Sequence, residues 1–310
     1  MLATLTERRF SHPDWIFERK LDGVRAIGTR HGDEVRLMSR NHKRMEASYP
    51  ELVEGLAAVE CARFVVDGEI VAFEGRRTSF ERLQSRIHLR DPERARRTGV
   101  AVYYYLFDLL HLDGYDTRLL PLRARKSLLR TALEFRDPLR FTPHRKREGE
   151  AYYAQACRSG WEGVIAKRAD SRYTSGRSRD WLKFKCVATQ EFVICGFTEP
   201  HGGRVGFGAL LVAYHMDGAL RYAGKVGTGY DERTLRALRA RLDDLEQDRP
   251  PFDEDVRERE AHWVQPRLVC EVGFTEWTDD GKLRHPRYLG LRGDKDPGDV
   301  VRETPDWASP

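Results

Sequence analysis

The sequence predicts an α+β protein in two parts, a domain of mixed antiparallel sheets and helices followed by a small β-barrel. Three observations predict it. In the first part, short apolar runs bounded by Gly and charged residues are interspersed with two segments of helical spacing. Beyond Glu191, strands alternate with Gly-rich turns. At 310 residues and 40% hydrophobic content, the chain can bury a core in each of two domains.

In chain order, residues 15–17, 64–73, 100–110, 163–167 and 181–184 read as strands, and 49–59 and 119–133 as helices, from their spacing of Leu, Ala and Val. The composition changes over 187–190, which sets the expected domains at 1–188 and 189–296. In the second, 209–215 and 219–225 flank Met216, Asp217 and Gly218 as a hairpin. One amphipathic helix, 232–245, interrupts the strands before 268–274 resumes them. About five short strands and one helix suggest an OB-fold. The segment 297–310, polar and containing Pro297, Pro305 and Pro310, is expected to be a loosely ordered tail.

No stretch approaches the roughly 18 to 20 apolar residues that span a bilayer, and the N-terminus lacks the apolar run of a signal peptide, so a cytoplasmic protein is expected. Cys61, Cys157, Cys186, Cys195 and Cys270 are widely spaced and form no CxxC pair, which predicts free, mostly buried thiols. Lys and Arg number 54 against 49 Asp and Glu. The net charge of +5 is too small to define a polyanionic partner. Distribution says more: basic residues cluster at 85–97 and 136–147, and acidic ones at 242–260. Such basic runs are ordinarily solvated faces, and only secondarily phosphate contacts.

The chemistry concentrates first in Glu18–Arg25, ERKLDGVR. It places Lys20 at the end of an aromatic-rich strand, followed by an Asp22–Gly23 turn. As a nucleophile, Lys20 needs a pKa below its ordinary value of about 10.4, which Arg25 and a bound metal could bring about. The bland alternative is a surface lysine beside a turn; K-x-D-G-x-R arises by accident in about one of several hundred such chains.

KLDGVR resembles the first motif of the covalent nucleotidyltransferase superfamily, which comprises polynucleotide ligases and mRNA capping enzymes. Five further segments follow in the family's order, and the resemblance spans almost the whole chain. Ser39-Arg40-Asn41 resembles the motif whose arginine contacts a nick 5′-phosphate, and Asp67-Gly68-Glu69-Ile70 the one whose glutamate serves ribose or metal. Leu106-Phe107-Asp108 resembles the segment whose ring stacks on the base. Glu162-Gly163-Val164 resembles the motif with a metal-directed carboxylate, and Lys183-Phe184-Lys185 the one with phosphate-binding lysines. Singly each has an ordinary reading: core for Phe107, a turn for Asp67-Gly68, solvent for Glu162, the wet face of a strand for the lysine pair. Jointly those readings would have to reproduce a lysine, two carboxylates, a base platform and a lysine pair in one order.

The stretch 263–295, ending in Arg292, Asp294 and Lys295, is similar to the C-terminal part of the ligase module of bacterial ligase D enzymes, which act in end joining. In the family this sixth motif lies on a mobile OB domain and orients the pyrophosphate leaving group. The resemblance implies a nucleotidyltransferase (ATP-grasp-like DNA ligase adenylation) domain followed by an OB-fold barrel, and an ATP-dependent DNA ligase in three phosphoryl-transfer steps. Lys20, Asp22, Lys183 and Lys185 would be catalytic. Glu18 and Phe107 would hold adenine, Arg25 and Glu69 the ribose side, and Arg40, Lys183 and Lys185 phosphates; Arg292 and Lys295 would attend the pyrophosphate. Glu69 and Glu162 would hold Mg²⁺, with Mn²⁺ as a substitute. A swing of the barrel through a hinge at 187–190 is implied. So are nicked duplex DNA as partner, an end-binding repair protein as a second partner type, and a monomer away from membranes. His42, Lys43 and Arg44 follow the second motif where relatives often have glycine, so the turn is expected to differ. An RNA ligase or GTP-using capping enzyme, and a non-catalytic nucleic-acid-binding protein, are the competing readings; the last should lack some of these catalytic residues, and none is lost.

Overall fold

Period-two alternation of apolar and polar residues builds the first half of the chain. The computed structural model describes residues 1–186, 188–256 and 258–303, which divide into two units, 1–186 and 188–303. The first unit contains strands β1 (Leu2–Leu5), β2 (Trp15–Lys20), β3 (Val24–His31), β4 (Glu34–Ser39), β5 (Arg63–Glu74) and β6 (Arg77–Thr78). These are followed by β7 (Val102–Leu112), β8 (Tyr115–Asp116), β9 (Leu139–Phe141), β10 (His144–Lys146), β11 (Gly163–Arg168) and β12 (Arg177–Lys185). Its helices are α1 (Pro50–Ala57), α2 (Phe80–Ile87), α3 (Pro92–Arg97), α4 (Leu122–Ala132) and α5 (Gly149–Arg158).

Two sheets result. One has the order β1-β12-β11-β2-β10, and the other β4-β3-β5-β7-β8 with β6 on β5 and β9 on β7. In the first, Trp15 and Phe17 of β2, Val164 and Ala166 of β11, and Leu182 and Phe184 of β12 share a core with Tyr152 and Ala156 of α5. Their neighbours Glu18, Lys20, Ile165, Lys167, Trp181, Lys183 and Lys185 therefore occupy the opposite face. In the second sheet Val24, Ala26, Val66, Ile70, Tyr104 and Leu106 pack with Leu52 and Leu56 of α1 and Leu129 of α4. That leaves Arg25, Glu69 and Phe107 for the other side. Burying each large apolar side chain in these layers contributes about 1.5–3 kcal/mol.

The second unit contains β13 (Ala188–Thr198), β14 (Leu210–Met216), β15 (Ala219–Val226), α6 (Glu232–Asp243), β16 (Glu246–Gln247), β17 (Ala261–Phe274), β18 (Glu276–Trp277), β19 (Leu283–Arg284) and β20 (Arg287–Leu291). Strands run β15-β14-β13-β17, with β20 also on β17, and Tyr288 N donates to Thr228 O just past β15 (2.9 Å). That bond returns the sheet to its first strand, giving the five-stranded barrel expected of an OB-fold. The β14–β15 hairpin turns at Asp217 and Gly218, both at positive φ (53° and 81°), the geometry of a type I′ turn. Helix α6 is capped by Asp231, whose side chain accepts from Thr234 N (2.7 Å), and buries Leu235, Leu238 and Leu242 on one stripe.

Two expectations are corrected. The segment from 297 is not loose over its first seven residues: Pro297–Asp299 forms a 3₁₀ turn, Val300 is buried in the barrel core and Val301 bridges to His215. Residues 304–310 lie outside the described part. The thiols are not all free: Cys157 and Cys186 form a disulfide, while Cys61, Cys195 and Cys270 are unpaired. Helix α5 runs beside the β12 end and brings two cysteines 29 positions apart to a Cα separation of 5.2 Å, which spacing alone does not reveal. Among the described residues no helix is long and apolar enough to cross a membrane.

Candidate active site

Antiparallel register assembles a pocket between the two sheets. Lys20 lies opposite Gly163, which lies opposite Lys185; Glu18 lies opposite Ile165, which lies opposite Lys183; and Lys167 lies opposite Trp181. The pocket wall comprises Glu18, Lys20, Ile165, Lys167 and Trp181 from this sheet and Arg25, Glu69 and Phe107 from the other, with Thr142 where the chain crosses between them. Two motif glycines permit this closeness. A Cβ on Gly163, at φ 153°, would sit 1.9 Å from Phe184 O, and one on Gly23 would sit 2.1 Å from Ile70 O.

The Lys20 ammonium pairs with the Glu162 carboxylate. Burial alone pulls its pKa down, but Glu162, with Glu69 and Asp22 adding to it, leaves it above the ordinary lysine value. The expected depression is therefore reversed by these carboxylates. Arg25 does not supply it, because Nε and Nη2 donate to Oδ1 (2.9 Å) and Oδ2 (2.5 Å) of fully buried Asp67, which also accepts from Tyr173 Oη (2.7 Å). Arg25 thus reaches the pocket as a fixed charge, 5.5 Å from the Phe107 ring centroid.

Glu18 is 2% exposed and clamped between Lys126 Nζ (2.5 Å to Oε1) and Lys167 Nζ (2.6 Å to Oε2). Burial opposes its charge, but the two ammonium groups hold its pKa below the usual carboxylate range. Lys167 Nζ also lies over the rings of Phe107 (4.1 Å) and Trp181 (3.9 Å), making one cationic–aromatic wall. Phe107 is half-buried and faces the pocket instead of the core. Lys183 and Lys185 flank buried Phe184 on the pocket side of β12.

Other predicted residues lie elsewhere. Arg40 is exposed in the turn after β4 and does not line the pocket. That turn keeps a glycine-like conformation despite its sequence, with His42 at φ 56°. Arg292 and Lys295 belong to the second unit. There Arg292 pairs with Asp294 (2.9 Å) and Glu271 (3.2 Å), and Lys295 with Glu191 (3.1 Å). The basic runs are partly structural. Arg86 is fully buried and held bidentately by Glu51, Arg96 pairs with Glu54, and Arg140 pairs with Asp137 across a cis peptide segment.

Sequence reasoning missed Asp67 as the anchor of Arg25, and Lys126, Lys167, Trp181, Tyr173 and Thr142. Only Lys126 carried a signal: it lies between Leu122 and Leu129 on the apolar stripe of α4, where a lysine is buried only with a partner. Glu69 and Glu162 both act on Lys20, and no group of three or more metal-capable side chains occurs among the described residues. Two hard oxygen donors at Lys20 suit Mg²⁺, which would need further ligands from substrate or water since the protein offers no complete cage among the described residues.

A lysine ringed by carboxylates and cations between two sheets, followed by a five-stranded barrel, defines a nucleotidyltransferase of the ligase type. Residues 1–185 match the family described as ATP dependent DNA ligase domain, and 203–295 match the ATP dependent DNA ligase C terminal region. The chain belongs to the ATP-dependent DNA ligases. It is 39% identical, over 98% of its length, to the multifunctional non-homologous end joining protein LigD of Pseudomonas aeruginosa and to the corresponding DNA repair protein of Mycobacterium tuberculosis. It spans 36% and 39% of the length of those two proteins. A solved structure, mycobacterial DNA ligase D complexed with ATP and MES, superposes with a TM-score of 0.66 at 36% identity, covering 97% of this chain and 98% of that one.

Proposed function

We propose that this chain seals nicks in duplex DNA by carrying AMP on Lys20. The observation that carries the reading is Lys20 itself: a partly buried lysine in a pocket with an aromatic wall, flanked by Glu69 and Glu162 and set two strands from Lys185. In the first step Lys20 Nζ gives up a proton, for which the Glu162 carboxylate is the bonded acceptor. It then attacks the α-phosphorus of ATP, a P–N bond forms, and the P–O bond to pyrophosphate breaks. Phe107 offers its ring to the base, Glu18 an acceptor edge to the adenine amine, and Arg25 a fixed charge beside Glu69 toward the ribose. Asp22 keeps negative charge next to the nucleophile, and Lys295 with Arg292 attends the pyrophosphate.

In the second step a DNA 5′-phosphate oxygen displaces Lys20 from phosphorus, with Arg40, Lys183 and Lys185 neutralising the phosphates. In the third the 3′-hydroxyl oxygen, losing its proton, attacks the phosphorus of the DNA 5′-phosphate, the P–O bond from that phosphorus to AMP breaks, and AMP leaves. When bound, Mg²⁺ at Glu69 and Glu162, or Mn²⁺ in its place, supplies positive charge to phosphate oxygens and offsets the carboxylates that keep Lys20 protonated. The names of the LigD relatives support work in end joining. The same reading takes an end-binding repair protein as partner type, a cytoplasmic location and a monomer.

Incubation with Mg²⁺ and α-labelled ATP, GTP or NAD, followed by denaturing electrophoresis and a chase with nicked DNA, tests this. ATP label lost as nicks close is the expected result, and Lys20→Ala should abolish it while leaving the fold intact. Label from GTP alone, or label retained by Lys20→Ala, would overturn the assignment.

A further inference from the structure

We infer that Thr142 reads the base of the bound nucleotide, as a specificity-determining residue beside Glu18. This rests on the reading of the pocket as the ATP site and goes beyond it by adding a contact. Thr142 directly follows β9, where the chain leaves the second sheet before joining the first through β10. Both of its backbone polar groups are used: its N–H donates to Leu106 O (2.9 Å), and its carbonyl accepts from Lys126 Nζ (3.1 Å). The residue is 3% exposed and lines the pocket, yet its hydroxyl has no hydrogen-bond partner among the described residues.

A buried hydroxyl without a partner works against folding. Valine has nearly the same shape and would avoid that cost, so the fold itself does not call for the oxygen. A ligand does. The location indicates which part of the ligand. Lys126 bonds both the Thr142 carbonyl and Glu18, and also approaches the carbonyl of Phe107 (3.4 Å), so these residues surround one end of the pocket. That end holds the aromatic platform and the acceptor carboxylate, whereas Lys20, Glu69 and Arg25 supply the charges for phosphate and ribose. A flat heterocycle at the platform brings its polar edge to Glu18 and Thr142 together. The carboxylate can only accept, so it takes the exocyclic amine of adenine. The hydroxyl can donate, so it serves a ring nitrogen flanking that amine, N1 or N7. A guanine would turn its carbonyl oxygen toward the Glu18 carboxylate, and the two acceptors would repel.

The test uses the full chain, cleared of any bound AMP with pyrophosphate, and measures the KM and maximal rate of Lys20 labelling. Wild type, Thr142→Val and Thr142→Ser are compared with ATP, 1-deaza-ATP and 7-deaza-ATP. Thr142→Val should raise the KM for ATP about 3- to 10-fold, the worth of one hydrogen bond, with the maximal rate within about twofold. Thr142→Ser should behave as wild type. With the analogue that lacks the partner nitrogen, valine and threonine enzymes should become equal. Without nucleotide, Thr142→Val should melt no lower than wild type, whereas loss of a hydroxyl that served the fold would lower the melting temperature. Equal KM values for ATP in wild type and Thr142→Val would overturn the proposal. So would an identical rise with ATP and both analogues, which would mark a packing effect. Failure of the wild type to take label from ATP would instead overturn the reading of the pocket, and this inference with it.

Discussion

Glu18 carries its negative charge in a place where burial alone would neutralise it, because Lys126 and Lys167 each lie on one of its oxygens. Removing one side of such a cluster leaves buried charge uncompensated, at a cost of about 3–5 kcal/mol. Glu18→Gln should therefore destabilise the protein by that order in urea unfolding at pH 7. The pH dependence follows from the direction of its shift. A carboxylate held below its unfolded value of about 4.3 contributes stability above that pH, and loses it as pH falls through the folded value. The gap between Glu18→Gln and wild type should therefore narrow below about pH 4; a constant gap would show that the carboxylate matters for its shape and not its charge. Glu18, Lys20 and the lysine pair were legible because strand periodicity and motif order need only neighbouring residues. The sign of the Lys20 shift was not. Sequence places Arg25 five positions away, but strand register brings Glu162 to the ammonium and fastens Arg25 to Asp67.

Strands with long apolar runs, such as β5 and β7, announce themselves, and so does the hairpin at Asp217–Gly218, because burial on one face and turn chemistry are both local. Helix α5 does not: its buried residues are Gly149, Tyr152 and Ala156, too mixed a set to register as an apolar stripe. Missing α5 also hid the disulfide, since that helix carries Cys157 to Cys186. Under denaturing, non-reducing conditions the protein should react with three equivalents of a thiol reagent, and with five after reduction; five at the outset would remove the crosslink. Gly163 is the point where β11 depends on a missing side chain. Gly163→Ala would drive a methyl into Phe184 O, between the two motif lysines, at a backbone angle that L residues avoid. Beta-strand β12 should shift, so the variant should lose nick sealing and melt lower than wild type. An unchanged activity would mean that Lys183 and Lys185 tolerate displacement.

Across the whole molecule, the composition change read at 187–190 lies beside the division of the chain into two units, but composition could not rank the charges of the sixth motif. The barrel does rank them. Arg292 is 8% exposed and engaged by both Asp294 and Glu271, so removing it would strand buried carboxylates and weaken the unit. Lys295 shares a partly exposed pair with Glu191, with side-chain exposures of 23% and 25%, and such pairs are worth about 0–1 kcal/mol. Exchanging Glu191 for a polyphosphate therefore costs Lys295 little, while Arg292 acts as the fixed support of the loop that carries it. Lys295→Ala should leave urea unfolding within about 1 kcal/mol of wild type. It should slow labelling of Lys20 by ATP about 100-fold, the order seen when one charge stabiliser of a developing oxyanion is removed. Sealing of a nick that already bears AMP on its 5′-phosphate should proceed at the wild-type rate, because no pyrophosphate leaves in that step. An equal loss in both assays would place Lys295 at DNA instead of at the leaving group, and would separate the barrel's charge from the first step altogether.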